Sequence, residues 1–261
     1  MIQLFQAWNV LRTVLQNTFS FYDIKEIVGL AGLDLSRIAE LEQKAGGGSS
    51  KGQLMTGIDR AFAELNEEER KRFVAIVAEE VLKRKPEART LLGNNLSRIG
   101  WTLVGEAVLP IELFDLSELA ELPSESLPDI LKAAQRLRDG DLSGAISAAC
   151  AAVDSATSSV FAESQIGDPT TASFQERCRK ALLASGVVLK MEKELRDLGW
   201  DASEITLFRK NFEGALNQGA YIMQTLRSKM GDVHGTKPIL KPLVFDSLKW
   251  AQLIVRALTE N

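Results

Sequence analysis

The chain has 261 residues, 45% of them apolar, a formal net charge of −4 and a single histidine. That length and apolar content suit one large domain or two small ones with sizeable cores, and they argue against global disorder. One imidazole and two cysteines cannot build a multi-histidine metal site, so no metal or cofactor is expected, and 31 basic against 35 acidic residues argue against a generally basic nucleic-acid-coating protein while leaving room for a local basic patch.

The pattern is mostly helical. Leu4, Trp8, Leu11 and Leu15 recur at helical spacing, which reads as a core-facing stripe. A membrane-surface helix is the alternative, and one arginine in the stretch gives it little support. The opening sixteen residues have no basic leader and no small-residue cleavage site, so they are not read as a signal peptide. Two short helices are expected over Tyr22 to Val28 and Asp34 to Lys44. The run Gly46-Gly-Gly-Ser-Ser-Lys-Gly52 has the composition of a phosphate loop, but Ser50 precedes Lys51, Gly52 follows it, and no strand leads in. It reads as a loop whose Ser50 caps the next helix, from about Gln53 to Leu65. Asn66 caps another, with Glu67, Glu68 and Glu69 at its positive end, Lys83, Arg84 and Lys85 at its negative end, and Pro86 beyond.

The middle is different. Residues 96–140 hold 4 basic and 8 acidic residues and so carry the whole net charge, the flanks being balanced. Arg98 to Leu103 and Ala107 to Ile111 flank Val104-Gly105-Glu106 as a small β-hairpin, with Pro110 suited to an edge. Leu113 to Pro128 reads as an acidic connector. Helices then follow over Leu131 to Arg138, over Leu142 to Glu163 behind an Asp141 cap, over Phe174 to Gly199 with an irregularity at Gly186, from an Asp201 or Ser203 cap to about Met230, and over Leu243 to Leu258. Long helices with short connections imply an antiparallel bundle. The organisation is therefore all-α, with a helical module over 1–93, a connector over 94–126 and a bundle over 127–261. Cys150 and Cys178 are isolated, and Cys150 lies in an alanine-rich run, as a small buried residue would. No apolar run approaches the ~18–20 residues that span a bilayer, so a soluble, cytoplasmic protein with no membrane partner is expected.

The sole histidine stands in Leu226-Arg-Ser-Lys-Met-Gly-Asp-Val-His-Gly235, an Arg-x6-His spacing at the end of one long helix. Arg227 belongs to the last helical turn and His234 to the turn after it. An arginine offers a planar fork of donors to a phosphate, and an imidazole moves protons near neutral pH, so the pair suits cleavage of an RNA phosphodiester by its own 2′-hydroxyl. A capping or buried, hydrogen-bonded histidine fits the same spacing. Asp154 stands either near this pair or in solvent. Asp232 either orients His234 or forms the turn. Lys229, Lys237 and Lys241 either hold an RNA backbone or are ordinary exposed lysines. Trp101, Trp200 and Trp250 form no recognisable base-stacking platform.

The stretch from Gly144 to Leu258 resembles the HEPN superfamily, specifically the abortive-infection C-terminal family. The resemblance rests on the small-residue helix Gly144 to Asp154, on Gly167-Asp-Pro with Ser173-Phe-Gln-Glu176, and above all on Leu226-Arg227 to His234-Gly235. It implies a helical bundle that cleaves RNA without a metal or cofactor, in antiviral defence or as a toxin, with Arg227 contacting phosphate and His234 transferring protons. Two such motifs meet across a homodimer in that family. Many members carry Asn, Asp or His directly after the arginine, where this chain has Ser228. Residues 1–93 resemble effector-associated, death-domain-like adaptors, which implies a protein partner for that module. The other readings are a non-catalytic helical module that binds protein or RNA and, since HEPN bundles also pair with nucleotidyltransferases, a partner of such an enzyme.

Overall fold

The computed structural model describes residues 2–44, 47–97, 100–110, 119, 122–231 and 237–259. It is mostly helical with two small two-stranded hairpins, and it divides into two compact units, Met1–Glu112 and Leu113–Asn261.

In the first unit α1 (Ile2–Thr18), α2 (Phe21–Leu30), α3 (Lys51–Glu64), α4 (Glu67–Arg84) and α5 (Arg89–Leu96) enclose one core. The α1 stripe is buried as expected, with Leu11 and Leu15 wholly inside. Trp8 stacks on Phe62 at 5.2 Å and meets Phe73 at 5.3 Å, while its indole N–H donates to Asp59 at 2.9 Å, so the ring is buried without losing its polar partner. Helix starts follow the capping boxes: Ser20 with Asp23, Ser50 with Gln53, and Asn66 with Glu69.

The expected helix from Asp34 to Lys44 is not formed. Asp34 caps a single 3-10 turn, Leu35–Ile38, and the chain then extends into β1 (Gln43–Lys44), which pairs with β2 (Gly47–Gly48). Gly48 lies at φ +140°, and a β-carbon there would meet the Glu42 carbonyl at 2.7 Å, so this position of β2 requires glycine. The second hairpin is the one expected. β3 (Trp101–Val104) pairs with β4 (Ala107–Pro110) around Gly105 at φ +57°, and Trp101 and Val108 join the first unit's core. Val108 N–H donates to the buried Glu79 carboxylate at 2.8 Å, which fastens β4 to α4. The hairpin therefore extends the first unit. Most of the acidic connector that follows, 111–118, 120 and 121, lies outside the described residues.

The second unit contains α6 (Leu127–Arg138), α7 (Leu142–Ser164), α8 (Phe174–Ser185), α9 (Val187–Asp197), α10 (Ala202–Met230) and α11 (Lys241–Thr259). α7 is the central helix, packed by α6, α8, α10 and α11. Its Ala145, Ala149, Ala152 and Ala156 are buried, and such short side chains let four neighbours approach closely. At 23 residues α7 is long and apolar enough to cross a membrane by length and composition, which corrects the expectation that no run approaches that length. Its surface is mostly buried by the other helices, as in a core helix. The helix expected over Phe174 to Gly199 is two helices, because Gly186 takes φ +73° and ends α8 in a left-handed cap. α10 and α11 cross at Gly219, where the Trp250 ring occupies the space that a side chain would need.

Candidate functional site at the end of α10

The centre of the site is a carboxylate between two guanidinium groups. Asp154, in the middle of α7, accepts from Arg227 Nη1 at 2.7 Å through one oxygen and from Arg177 Nη2 through the other. Arg227 lies in the last turn of α10 and Arg177 in α8, so one acid joins three helices. The two arginines are not equivalent. Arg177's side chain is only 18% exposed, its Nε has no hydrogen-bond partner, and its guanidinium carbon sits 6.0 Å from the Phe174 ring centre. Arg227's side chain is 44% exposed. Burial works against its charge, but the hydrogen bond and attraction of Asp154 outweigh this and raise its pKa, so Arg227 is a fixed cation. Two guanidiniums and one carboxylate leave the cluster with a net positive charge.

Two buried thiols lie behind the cluster. Cys150 is one helical turn before Asp154, its Sγ 3.8 Å from the Met223 carbonyl, and Cys178 follows Arg177. Burial pushes both thiols up to about 12; Arg227 pulls Cys150 back in part, while Asp154 pushes both further up. They are packing groups, not nucleophiles.

The end of α10 is pinned to the start of α7. Ser143 Oγ donates to the Met230 carbonyl at 2.9 Å, and Gly231 N–H donates to the Arg227 carbonyl at 3.0 Å. A β-carbon at Gly231 would meet that carbonyl at 2.5 Å and Ser147 Oγ at 3.2 Å, so a side chain here would have to shift the last turn of α10. Beyond the segment 232–236, Lys237 N–H donates to the Lys229 carbonyl at 3.1 Å. Both flanks of that segment are thus tied to the last turn of α10.

Of the residues singled out in the sequence, Arg227 and Asp154 are brought into direct contact. Ser228, Lys229 and Lys237 are exposed around the same helix end, and Lys241 is exposed at the start of α11. Asp232 and His234 lie outside the described residues. Arg177 was missed. Its only sequence signal is a basic residue in the Phe174-Gln-Glu-Arg-Cys-Arg-Lys180 stretch, where three cations look alike, and what distinguishes it is burial against Asp154. Trp200 meets Phe208 edge-on at 5.9 Å and Trp250 packs on Gly219, so neither is part of this cluster. No protein-family model matches the chain, and neither the curated proteins nor the solved structures contain a match to it.

Proposed function

We propose that the second unit is a HEPN-type endoribonuclease that works without a metal, in antiviral defence or as a toxin, and that it acts as a homodimer through this bundle. The observation that carries the reading is Arg227. It is a permanently charged guanidinium, half exposed at a pinned helix end, held by Asp154 and backed by Arg177, seven residues before the chain's one imidazole. In the proposed reaction the 2′-oxygen attacks phosphorus, the bond to the 5′-oxygen breaks, and the proton lost from the 2′-hydroxyl is balanced by one given to the leaving oxygen. Arg227 stabilises the charge on the phosphoryl oxygens and His234 transfers the proton. Since one chain has one imidazole, separate acid and base groups of this kind come from two subunits. Lys229, Lys237 and Lys241 would guide the RNA backbone.

The test is RNA cleavage in the presence of a chelator by the full chain, His234→Ala and Arg227→Ala, with analysis of the ends. Products with 2′,3′-cyclic phosphate and 5′-hydroxyl ends, lost in both variants, support the reading. Equal cleavage by wild type and His234→Ala removes it. A second reading, a non-catalytic interaction module, is favoured by one observation: Leu189 and Leu198 on and just after α9, and Leu207, Tyr221 and Ile222 on α10, are apolar and exposed. Intact partner binding by His234→Ala, with no cleavage by either protein, would favour it.

A further inference from the structure

The outer face of α10 leads away from the Arg227 cluster without a charge. Seven residues from Asn211 to Thr225 are exposed, and none of them is acidic or basic. A solvated face of that size ordinarily carries about two charges. Tyr221 stands on this face with half of its surface exposed.

Beside the face runs a seam of three half-buried amides between α8 and α10. Gln224 Oε1 accepts from the Gln175 backbone N–H at 3.0 Å, and Gln175 Nε2 donates to Asn217 Oδ1 at 3.3 Å. These contacts decide which way Gln224 points. A backbone N–H only donates, so it must face the Gln224 oxygen, and the amino group takes the other side. Among the described residues no group accepts from that amino group. Its side chain is already held, so a ligand that takes these two N–H groups does not have to order it.

The seam adjoins the cationic cluster on both helices. Gln175 is two residues before Arg177, and Gln224 is one turn before Arg227 and one turn after Tyr221. Residues three apart are neighbours on a helix surface, so Arg227, Gln224 and Tyr221 follow one another in steps of about 4.5 Å along the axis. The order is a net positive cluster, an oriented pair of N–H donors, and an exposed aromatic ring. It matches the parts of a nucleotide: an anionic phosphate, a neutral base with a polar edge, and a flat face that stacks. A second copy of this chain fits less well. Between Asn211 and Ser228 the exposed large apolar residues are Tyr221 and Ile222 alone, too few for the apolar centre of a stable dimer contact.

We infer that this face of α10 binds the base of an unpaired nucleotide next to the phosphate at Arg227, with the base stacked on Tyr221 and a carbonyl oxygen of the base accepting from Gln224 Nε2. The inference rests on the reading of Arg227 as the phosphate contact of an RNA nuclease, and it adds what that site selects. Adenine is the one common RNA base without a carbonyl, so the site prefers uracil to adenine.

The experiment measures binding by fluorescence anisotropy, using the full chain and labelled pentanucleotides of 2′-O-methyluridine and of 2′-O-methyladenosine. The methyl group blocks attack by the 2′-oxygen, so affinity is read without turnover. The uridine oligonucleotide is expected to bind about fivefold tighter, the worth of one hydrogen bond. Tyr221→Ala should weaken both about tenfold, and Tyr221→Phe should leave both unchanged, because the ring and not the hydroxyl stacks. Gln224→Glu still accepts from the Gln175 N–H but has no N–H to donate. Its charge weakens both oligonucleotides, and the ratio between them should fall to about one. A merely structural glutamine would leave the ratio as it was. Equal wild-type affinities, binding of neither oligonucleotide, or unchanged affinity in Tyr221→Ala would each overturn the proposal. So would conversion of a dimer to a monomer by Tyr221→Ala in sedimentation, which would mark the face as a contact between copies. The Tyr221 variants suffice if Gln224→Glu does not fold. Cleavage of ordinary RNA separates this proposal from the nuclease reading. Base-selective binding by a chain that cuts no RNA keeps the base site and removes the nuclease, while cleavage that needs His234 but comes with no base preference keeps the nuclease and removes the base site.

Discussion

Replacing Asp154 with asparagine keeps the shape of the side chain and removes the one negative charge between Arg177 and Arg227. The structure sets the size of the effect. The Arg227 pair is 44% exposed on the arginine side, where solvent screens it, so its loss costs about 0.5–1 kcal/mol. The Arg177 pair is 18% and 25% exposed, and a charge-assisted bond so covered contributes about 1.5–3 kcal/mol. Arg177 would also remain as a mostly buried cation whose Nε already has no partner. Together these give a loss of about 2–4 kcal/mol, which lowers the unfolding temperature of a unit this size by about 5–12 °C. Scanning calorimetry of the full chain reads this as a shift in the second unit's transition, with the first unit's transition unmoved. Arg227→Met should cost less than 1 kcal/mol alone and little more on top of Asp154→Asn, because the acid's main partner is Arg177. If Asp154→Asn unfolds within about 2 °C of wild type, or if Arg227→Met costs as much as it does, the carboxylate does not hold the three helices as argued.

Other consequences are equally open to measurement. Both cysteines should resist alkylation at pH 8 in the native chain and react once it is unfolded, because the thiols stay protonated when folded. Their raised pKa values give the folded state a preference for the protonated form. That contribution is intact below about 9, the unfolded value, and is lost as pH rises towards about 12; a Cys150→Ala, Cys178→Ala chain should lose this pH dependence in urea titrations between those limits. Glu79→Ala should destabilise the first unit by about 1–3 kcal/mol in denaturant unfolding, since the buried Val108 N–H loses this carboxylate acceptor. Gly219→Ala should cost about 1–3 kcal/mol in the second unit, because the Trp250 ring must move before a methyl group fits, and a Trp250→Leu background should relieve much of that cost.

What was legible in the sequence was what neighbours along the chain decide. The caps at Ser50 and Asn66 and the hairpin turn at Gly105 depend on contacts within four residues, and they can be read from spacing; Gly186 was visible as an irregularity, but not as the end of one helix and the start of another. The segment from Asp34 to Lys44 misled because Leu35, Ile38 and Leu41 recur at a spacing that suits a helix, whereas the chain leaves the helix after one 3-10 turn and pairs Gln43–Lys44 with Gly47–Gly48. At the site, Arg227's place in the last turn of α10 was local and visible. Its contact with Asp154 spans 73 residues and that of Asp154 with Arg177 spans 23, and no periodicity encodes which of several arginines turns inward.

The geometry also gives Asp154 two opposed effects on any phosphate at this helix end. Its charge cancels one of the two cations, which weakens the pull on an anion. Without it, though, Arg227 would lose the bond that fixes one edge of its fork, and a long side chain at a helix end gives up about 2 kcal/mol of rotamer freedom when a ligand must order it. The buried Arg177 changes this balance. Because it supplies the second positive charge from within the bundle, Asp154 can hold Arg227 in place and still leave the cluster positive towards solvent. A lone Asp–Arg pair would be neutral and would have little pull on RNA. On the proposed reading, recognition of a phosphate here would therefore depend on a residue that need not touch it, which would make Arg177 a positioning residue of the proposed site alongside Asp154.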